Sequence, residues 1–155
     1  MVKKLLITLV IIAVLGIGYY LLSPLFINVK INEAIPVSNS QNTIVPVTFE
    51  AENKVAEVIG TSGHSASGSI RIVVDGSDTY IRYENFKTIN GPDIYVYLTN
   101  DLDAKDFVNL GKVKATEGNV NYKIPDGIKV SDYRYVIVWC KAFGVLFNYT
   151  DISNL

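Results

Sequence analysis

The chain has 155 residues, enough for one ordinary domain. Its formal net charge is −1, and once Lys3 and Lys4 are set aside acidic residues outnumber basic ones by three. That balance excludes the basic face that nucleic acid requires and the polybasic patch that draws a protein to anionic lipid. The hydrophobic fraction of 49% is uneven, with much of the excess in one N-terminal stretch.

Lys3-Lys4 precede eighteen residues without a charge, Leu5 to Leu22. As a helix they reach about 27 Å, close to a hydrocarbon core. Tyr19 and Tyr20 stand at the far end, where aromatic rings favour the membrane interface. Ser23-Pro24 ends the helix, because proline disfavours helical geometry in the residue before it. The two lysines keep the N-terminus in the cytoplasm and place the rest of the chain outside. The competing reading is a signal peptide, but the apolar stretch is long for one and Tyr20-Leu21-Leu22-Ser23 offers no small-x-small cleavage site. Residues 1–27 are therefore read as a single transmembrane anchor. No cysteine follows to accept a lipid.

Asn28 to Asn53 carries Pro36, Pro46 and a polar run from Ser38 to Thr43 with no sustained period, so residues 28–53 read as a stalk. From residue 54 to 155 the pattern is short alternating strands with turns between them. Ser69–Asp75 sets Ile70, Ile72 and Val74 on one face, and Asp75-Gly76-Ser77-Asp78 is a hairpin turn. Thr79–Tyr83 alternates again. After Asn90-Gly91-Pro92, the run Asp93–Thr99 is apolar on both faces, as in a central strand. Asp101–Phe107 reads as one helical turn. Leu110–Lys114 and Asn119–Ile124 read as a strand pair around Glu117-Gly118, followed by a Pro125-Asp126-Gly127 turn. Tyr133–Cys140, apolar on both faces, pairs with Phe143–Tyr149. The fold class expected is all-β, an antiparallel sandwich or barrel-like domain behind one transmembrane helix.

Residue counts remove whole chemistries. One cysteine, Cys140, cannot make an intramolecular disulfide or hold an iron–sulfur cluster on four thiolates. One histidine, His64, and one methionine, Met1, leave no blue-copper set and no three-histidine zinc site. C-x-x-C-H and the glycine-rich phosphate loops are absent. No cofactor is evident from the residues themselves.

Cys140 and His64 remain. Alternation puts Cys140 on the face of Val136 and Val138, and Trp139 and Lys141 on the other. Local sequence gives the sulfur no activating cation, and the plain alternative is a buried cysteine acting as a small hydrophobe. His64 lies in the glycine- and serine-rich loop Gly60–Gly68, but no orienting carboxylate or oxyanion site points to a Ser–His nucleophile. The plain alternative is a hydrogen bond to loop backbone. The aspartates at 101, 103 and 106 lack the glycine and terminal glutamate of an EF-hand and read as a solvated turn. Asn148-Tyr149-Thr150 is a formal glycosylation sequon.

Several segments in fixed order carry a family resemblance. They are Gly60, His64-x-x-x-Gly68, Tyr83-Glu84-Asn85-Phe86, Gly91-Pro92-Asp93-Ile94-Tyr95-Val96-Tyr97-Leu98, Leu110-Gly111-Lys112-Val113-Lys114, Gly118-Asn119-Val120-Asn121-Tyr122-Lys123-Ile124-Pro125 and Tyr135-Val136-Ile137-Val138-Trp139-Cys140-Lys141-Ala142-Phe143. Together they resemble the DM-thirteen domain, an extracytoplasmic family often found beside DOMON domains, over residues 55 to 155. The pattern departs from the family at Thr61-Ser62-Gly63, where an aromatic residue is usual, and around Ile152, where alanine is. The resemblance implies a mostly β fold and electron transfer through Cys140, as a naked thiol or as a haem ligand, with His64 as the matching histidine. It also implies a redox partner protein and a place in the cell membrane with the domain outside. The alternative is a non-catalytic surface module that binds protein or glycan through its many tyrosines. An independent hydrolase is the least supported reading.

Overall fold

The computed structural model describes residues 2–22, 28–36 and 54–155. Helix α1 (Val2–Leu22) contains the whole charge-free stretch, including Leu5, Tyr19, Tyr20 and Leu22. Its apolar side chains show no segregation to one face, and none of Val2–Tyr19 is buried against the rest of the protein. The hydroxyl of Thr8 donates to the Lys4 carbonyl at 3.0 Å, so this uncharged polar side chain is satisfied within the helix. A helix apolar all round and without a protein partner is long enough to cross a bilayer. A signal sequence meets the same description.

Among the described residues ten strands follow: β1 (Lys30–Asn32), β2 (Ala56–Glu57), β3 (Ile59–Gly60), β4 (Ala66–Asp75), β5 (Asp78–Thr88), β6 (Ile94–Thr99), β7 (Phe107–Lys112), β8 (Glu117–Lys123), β9 (Tyr135–Cys140) and β10 (Val145–Asp151). They form two five-stranded sheets, β1-β8-β5-β4-β2 and β3-β10-β9-β6-β7. All pairings are antiparallel except β1 with β8. Two open sheets with edge strands make this a sandwich, not a closed barrel.

The inward faces follow the alternation of the sequence. Ile70, Ile81, Tyr83, Val120 and Tyr122 from the first sheet meet Val96, Leu98, Val136, Val138 and Cys140 from the second. Each such side chain stabilises the fold by about 1.5–3 kcal/mol on burial. The β4–β5 hairpin closes through Gly76-Ser77, with Asp75 opposite Asp78 and Gly76 at φ 61°. Glycine at the first central position is the requirement of a type II′ turn.

Three segments differ from the sequence reading. First, part of the stretch read as a stalk belongs to the sandwich. Lys30–Asn32 pair with Glu117–Asn119, and the backbone N–H groups of Thr116 and Glu117 donate to Val29 O at 2.9 and 3.1 Å. Residues 37–53 lie outside the described residues. Second, Leu110–Lys114 and Asn119–Ile124 are not a pair. β7 lies against β6 and β8 lies against β5 in the opposite sheet, because Ala115 and Thr116, both buried, carry the chain across the core. Third, Asp101–Phe107 forms no helical turn. The Asp101 carboxylate instead accepts the N–H groups of Asp103 (2.8 Å) and Lys105 (3.2 Å), the local competition that draws aspartate out of helices.

Gly118 shows why β1 can dock at all. Its φ is +117°, and a Cβ there would collide with the Ile31 carbonyl. Gly118→Ala is expected to lift β1 off β8. The result would be faster hydrogen exchange at the Thr116 and Glu117 amides, with little change at β6 and β9.

Tyr83 poses a separate energetic question. Its ring packs on Phe86 and Tyr122, but its hydroxyl is buried with no hydrogen-bond partner among the described residues. Burial, and then the neighbouring Tyr122, push its pKa well above the ordinary tyrosine value. Burial likewise pushes Tyr122 up to about 12, against the opposing effect of the Lys114 N–H that donates to its oxygen. An orphaned buried hydroxyl costs about 1–3 kcal/mol. Tyr83→Phe is therefore expected to leave the urea midpoint unchanged or raise it.

Candidate functional site

β6 and β9 run side by side in the middle of the second sheet, and Cys140 is the last residue of β9. Its register neighbours are Ile94 on β6 and Val145 on β10. The sulfur sits on the core face with Val138 and Val136, and the residue has 0% exposure. Lys141 continues the chain with its N–H on the Asp93 carbonyl, and its ammonium lies 6.0 Å from the centre of the Tyr95 ring on the outer face. The cation next to Cys140 in sequence therefore points away from the sulfur, as alternation requires.

His64 comes to the same end of the sandwich from the other edge. A tight turn brings Thr61 opposite His64. Gly60 makes the turn possible, since a Cβ there would lie 2.5 Å from the His64 carbonyl and 2.7 Å from the Ala66 nitrogen. Thr61 anchors the turn to β10: its N–H donates to Phe147 O at 3.0 Å and its hydroxyl donates to Leu146 O at 2.7 Å. The imidazole Nδ1 lies 3.3 Å from that same hydroxyl oxygen. A hydroxyl has one proton, and it is committed to the carbonyl. Nδ1 is therefore assigned as the donor, which leaves Nε2 of a neutral ring as the acceptor. The ring stacks on Phe147, with centroids 4.2 Å apart and planes at 28°.

Phe147 is the residue the sequence did not single out. Leu146 pairs with Trp139 and Asn148 with Val138, so Phe147 is the extra residue of a bulge. Both Phe147 and Asn148 turn inward, at 5% and 1% exposure, which strict alternation forbids. Phe147 packs against Gly91 and lies in one cluster with Ile94 and Cys140. No hydrogen bond joins His64 to Cys140 among the described residues. The structure thus brings the two candidates to one end of the fold, with Phe147 linking their surroundings, but not around a shared cavity.

The other candidates resolve into structure. Asn148 Nδ2 donates to Thr88 Oγ1 at 3.1 Å across the two sheets, so the sequon is closed in the folded domain. Partial burial pushes the Asp101 carboxyl up, but the N–H groups of Lys105, Asp103 and Asp106 together hold it below the usual range. Lys105 pairs with Asp103 at 2.8 Å. Among the described residues, no group of three or more His, Cys, Asp or Glu side chains gathers as a metal site. A porphyrin iron has no path to Cys140 in this packing. The sulfur has no exposed surface, and none of the clefts described below is lined by it. The residues around Cys140 therefore do not fit a haem.

The fold and site define an antiparallel β-sandwich with one unpaired thiol sealed at the end of a central strand. The chain belongs to the DM13 family: the family model described as electron transfer DM13 matches residues 58–152, more than half of its length. No curated protein and no solved structure matches it.

Proposed function

We propose that this chain is a membrane-anchored domain, held outside the cytoplasm by α1, that takes part in electron transfer through Cys140 as a naked thiol. The description of its family supports the reaction class. Lys3-Lys4 ahead of the apolar helix supports the orientation. The observation that carries the choice of a naked thiol is the complete burial of Cys140. Thiol–disulfide exchange needs direct attack by one sulfur on another, and haem ligation needs an open coordination path. Outer-sphere transfer of an electron needs neither.

In that step the Cys140 thiol gives one electron to an oxidised partner protein and, when the end of β9 opens to solvent, one proton to water, leaving a sulfur-centred radical. An electron from a reduced partner and a proton from water restore the thiol. The test uses hexachloroiridate as a one-electron outer-sphere oxidant on the full chain. The native chain is expected to consume about one equivalent more than Cys140→Ala, with a sulfur-radical signal in freeze-quenched samples that the variant lacks. Equal consumption and no sulfur signal would remove Cys140 from the reaction.

A second reading, a surface module that binds protein or glycan, is favoured by the outer face of the second sheet. Tyr97 stacks on Phe107 at 3.9 Å, Trp139 pairs with Tyr95 in register, and Lys112 Nζ lies 5.6 Å from the Tyr95 ring centre. Aromatic rings beside cations are common interface anchors. Retention of the solubilised chain on immobilised glycans separates the readings. Loss in Trp139→Ala together with full retention in Cys140→Ala supports the module.

A further inference from the structure

The two ends of the sandwich differ in how far they can stand from α1. That helix ends at Leu22, and Asn28-Val29 already belong to the domain: Val29 N donates to Thr116 Oγ1 at 3.0 Å. Six peptide steps, from Leu22 to Asn28, span at most about 22 Å. β5, which runs from the far end of the sandwich to the near one, is about 33 Å long. With α1 in a bilayer, the domain cannot turn its far end toward the membrane, because its point of attachment would then stand beyond the reach of the tether.

The near end holds an open cleft of about 580 Å³ whose lining includes Asn28, Ser65, Ser67, Lys87, Thr88 and Asn90. Among the described residues its polar lining consists of amides, hydroxyls and one ammonium, with no carboxylate. Lys87 is exposed, and it also borders a neighbouring cleft together with Lys30, Asn119 and the carboxylate of Glu117, which lies opposite Lys87 in register and pairs with Lys30 at 2.7 Å. Donors without carboxylates suit a phosphate oxygen. A single cleft of this kind differs from a polybasic patch, which the composition excludes.

Resting on the anchor reading above, we propose that this cleft docks the phosphate of a membrane phospholipid headgroup and holds the Asn28 end of the sandwich against the bilayer. The same end carries the His64–Phe147 stack and the close of β9 at Cys140. The shortest approach to the thiol is then from the membrane side, so its electron partner is itself membrane-bound.

The test reconstitutes the full chain in phosphatidylcholine vesicles containing a headgroup spin-labelled lipid. A fluorophore is placed at Ser62→Cys, in the exposed turn at the near end, or at Asp126→Cys, in the far turn where the side chain is 92% exposed. The parent chain, with Cys140 sealed, is the control for stray labelling. Quenching at position 62 is expected to exceed that at position 126 severalfold, and Lys87→Glu is expected to narrow the difference. Equal quenching, or more at 126, overturns the proposal. So does an unchanged difference in Lys87→Glu, which would leave the tether alone to account for it; competition by inorganic phosphate is expected, because it shares the donors that hold the headgroup phosphate. A chain that fails to float with the vesicles on a density gradient overturns the anchor reading instead, whereas flotation with equal quenching overturns the docking alone.

Discussion

Native Cys140 is expected to react with a thiol-alkylating reagent roughly 10³-fold or more slowly than the unfolded chain. The residue has 0% exposure and lies on a strand paired on both sides. A reagent reaches such a sulfur only when the sandwich opens, and opening a central strand costs close to the whole stability of the domain. The measurement is mass spectrometry after timed exposure of the full chain in detergent, in native buffer and in denaturant. Equal rates would show an accessible sulfur, and exchange or ligation would return as the chemistry of Cys140. The variant used to probe its role should be Cys140→Ala. Serine would put a hydroxyl among Val136, Val138 and Ile94, where a polar group without a partner is costly.

Glu84→Ala is expected to lower stability by about 3–5 kcal/mol, the cost of leaving a buried charge without its partner. The Arg82 side chain is only 6% exposed and its Nε donates to Glu84 at 2.9 Å. The other carboxylate oxygen takes two bonds from Arg71, at 3.1 and 2.8 Å. Arg82 also donates to Asn121 Oδ1 (2.8 Å) and to the carbonyls of Glu33 (3.1 Å) and Ala34 (3.2 Å), but none of these groups carries a compensating charge. A domain of this size has about a third or more of its total stability at stake in that loss. Urea midpoints measure it. Arg82→Met combined with Glu84→Leu is expected to recover much of the loss, since removing both charges removes the desolvation cost as well. A loss below about 1 kcal/mol in Glu84→Ala would mean that Arg82 is solvated on this face.

The same network explains why residues 28–36 are ordered against the sheet. Glu33 gives one carboxylate oxygen to the Asn121 N–H at 2.6 Å and the other to Lys114 Nζ at 3.1 Å, while its carbonyl and that of Ala34 cap Arg82. The segment is thus tied by polar groups that the first sheet could not otherwise satisfy. That tie shortens the tether to α1 and gives the domain a near end and a far end with respect to that helix.

A single-cysteine domain with a sealed thiol narrows what electron transfer can mean here. The chain cannot store an oxidising equivalent as an internal disulfide, and the fold blocks an intermolecular one at Cys140. Its family membership and the burial of its one thiol are compatible through one-electron chemistry.

The sequence by itself determined a good deal of this. The apolar helix, the strands at residues 69–75, 79–83, 93–99 and 133–140, and the inward face of Cys140 beside Val136 and Val138 all follow from local alternation, which is set by the geometry of a single strand. The order of the motifs was enough to indicate the family. Only the tertiary structure decided which strands pair, that β7 and β8 lie in opposite sheets, and that three residues after the helix linker form an edge strand. Pairing depends on contacts between distant residues, such as Gly118 accepting β1 or Arg82 reaching Glu33, and no local period records them. The site divides the same way. That Cys140 shares a face with Val136 and Val138 was legible because it needs only alternation, whereas its complete burial is set by the opposing sheet. The Phe147 bulge, which breaks alternation and brings His64 to the thiol end of the fold, exists only because β10 must satisfy β9 on one side and the Thr61 turn on the other.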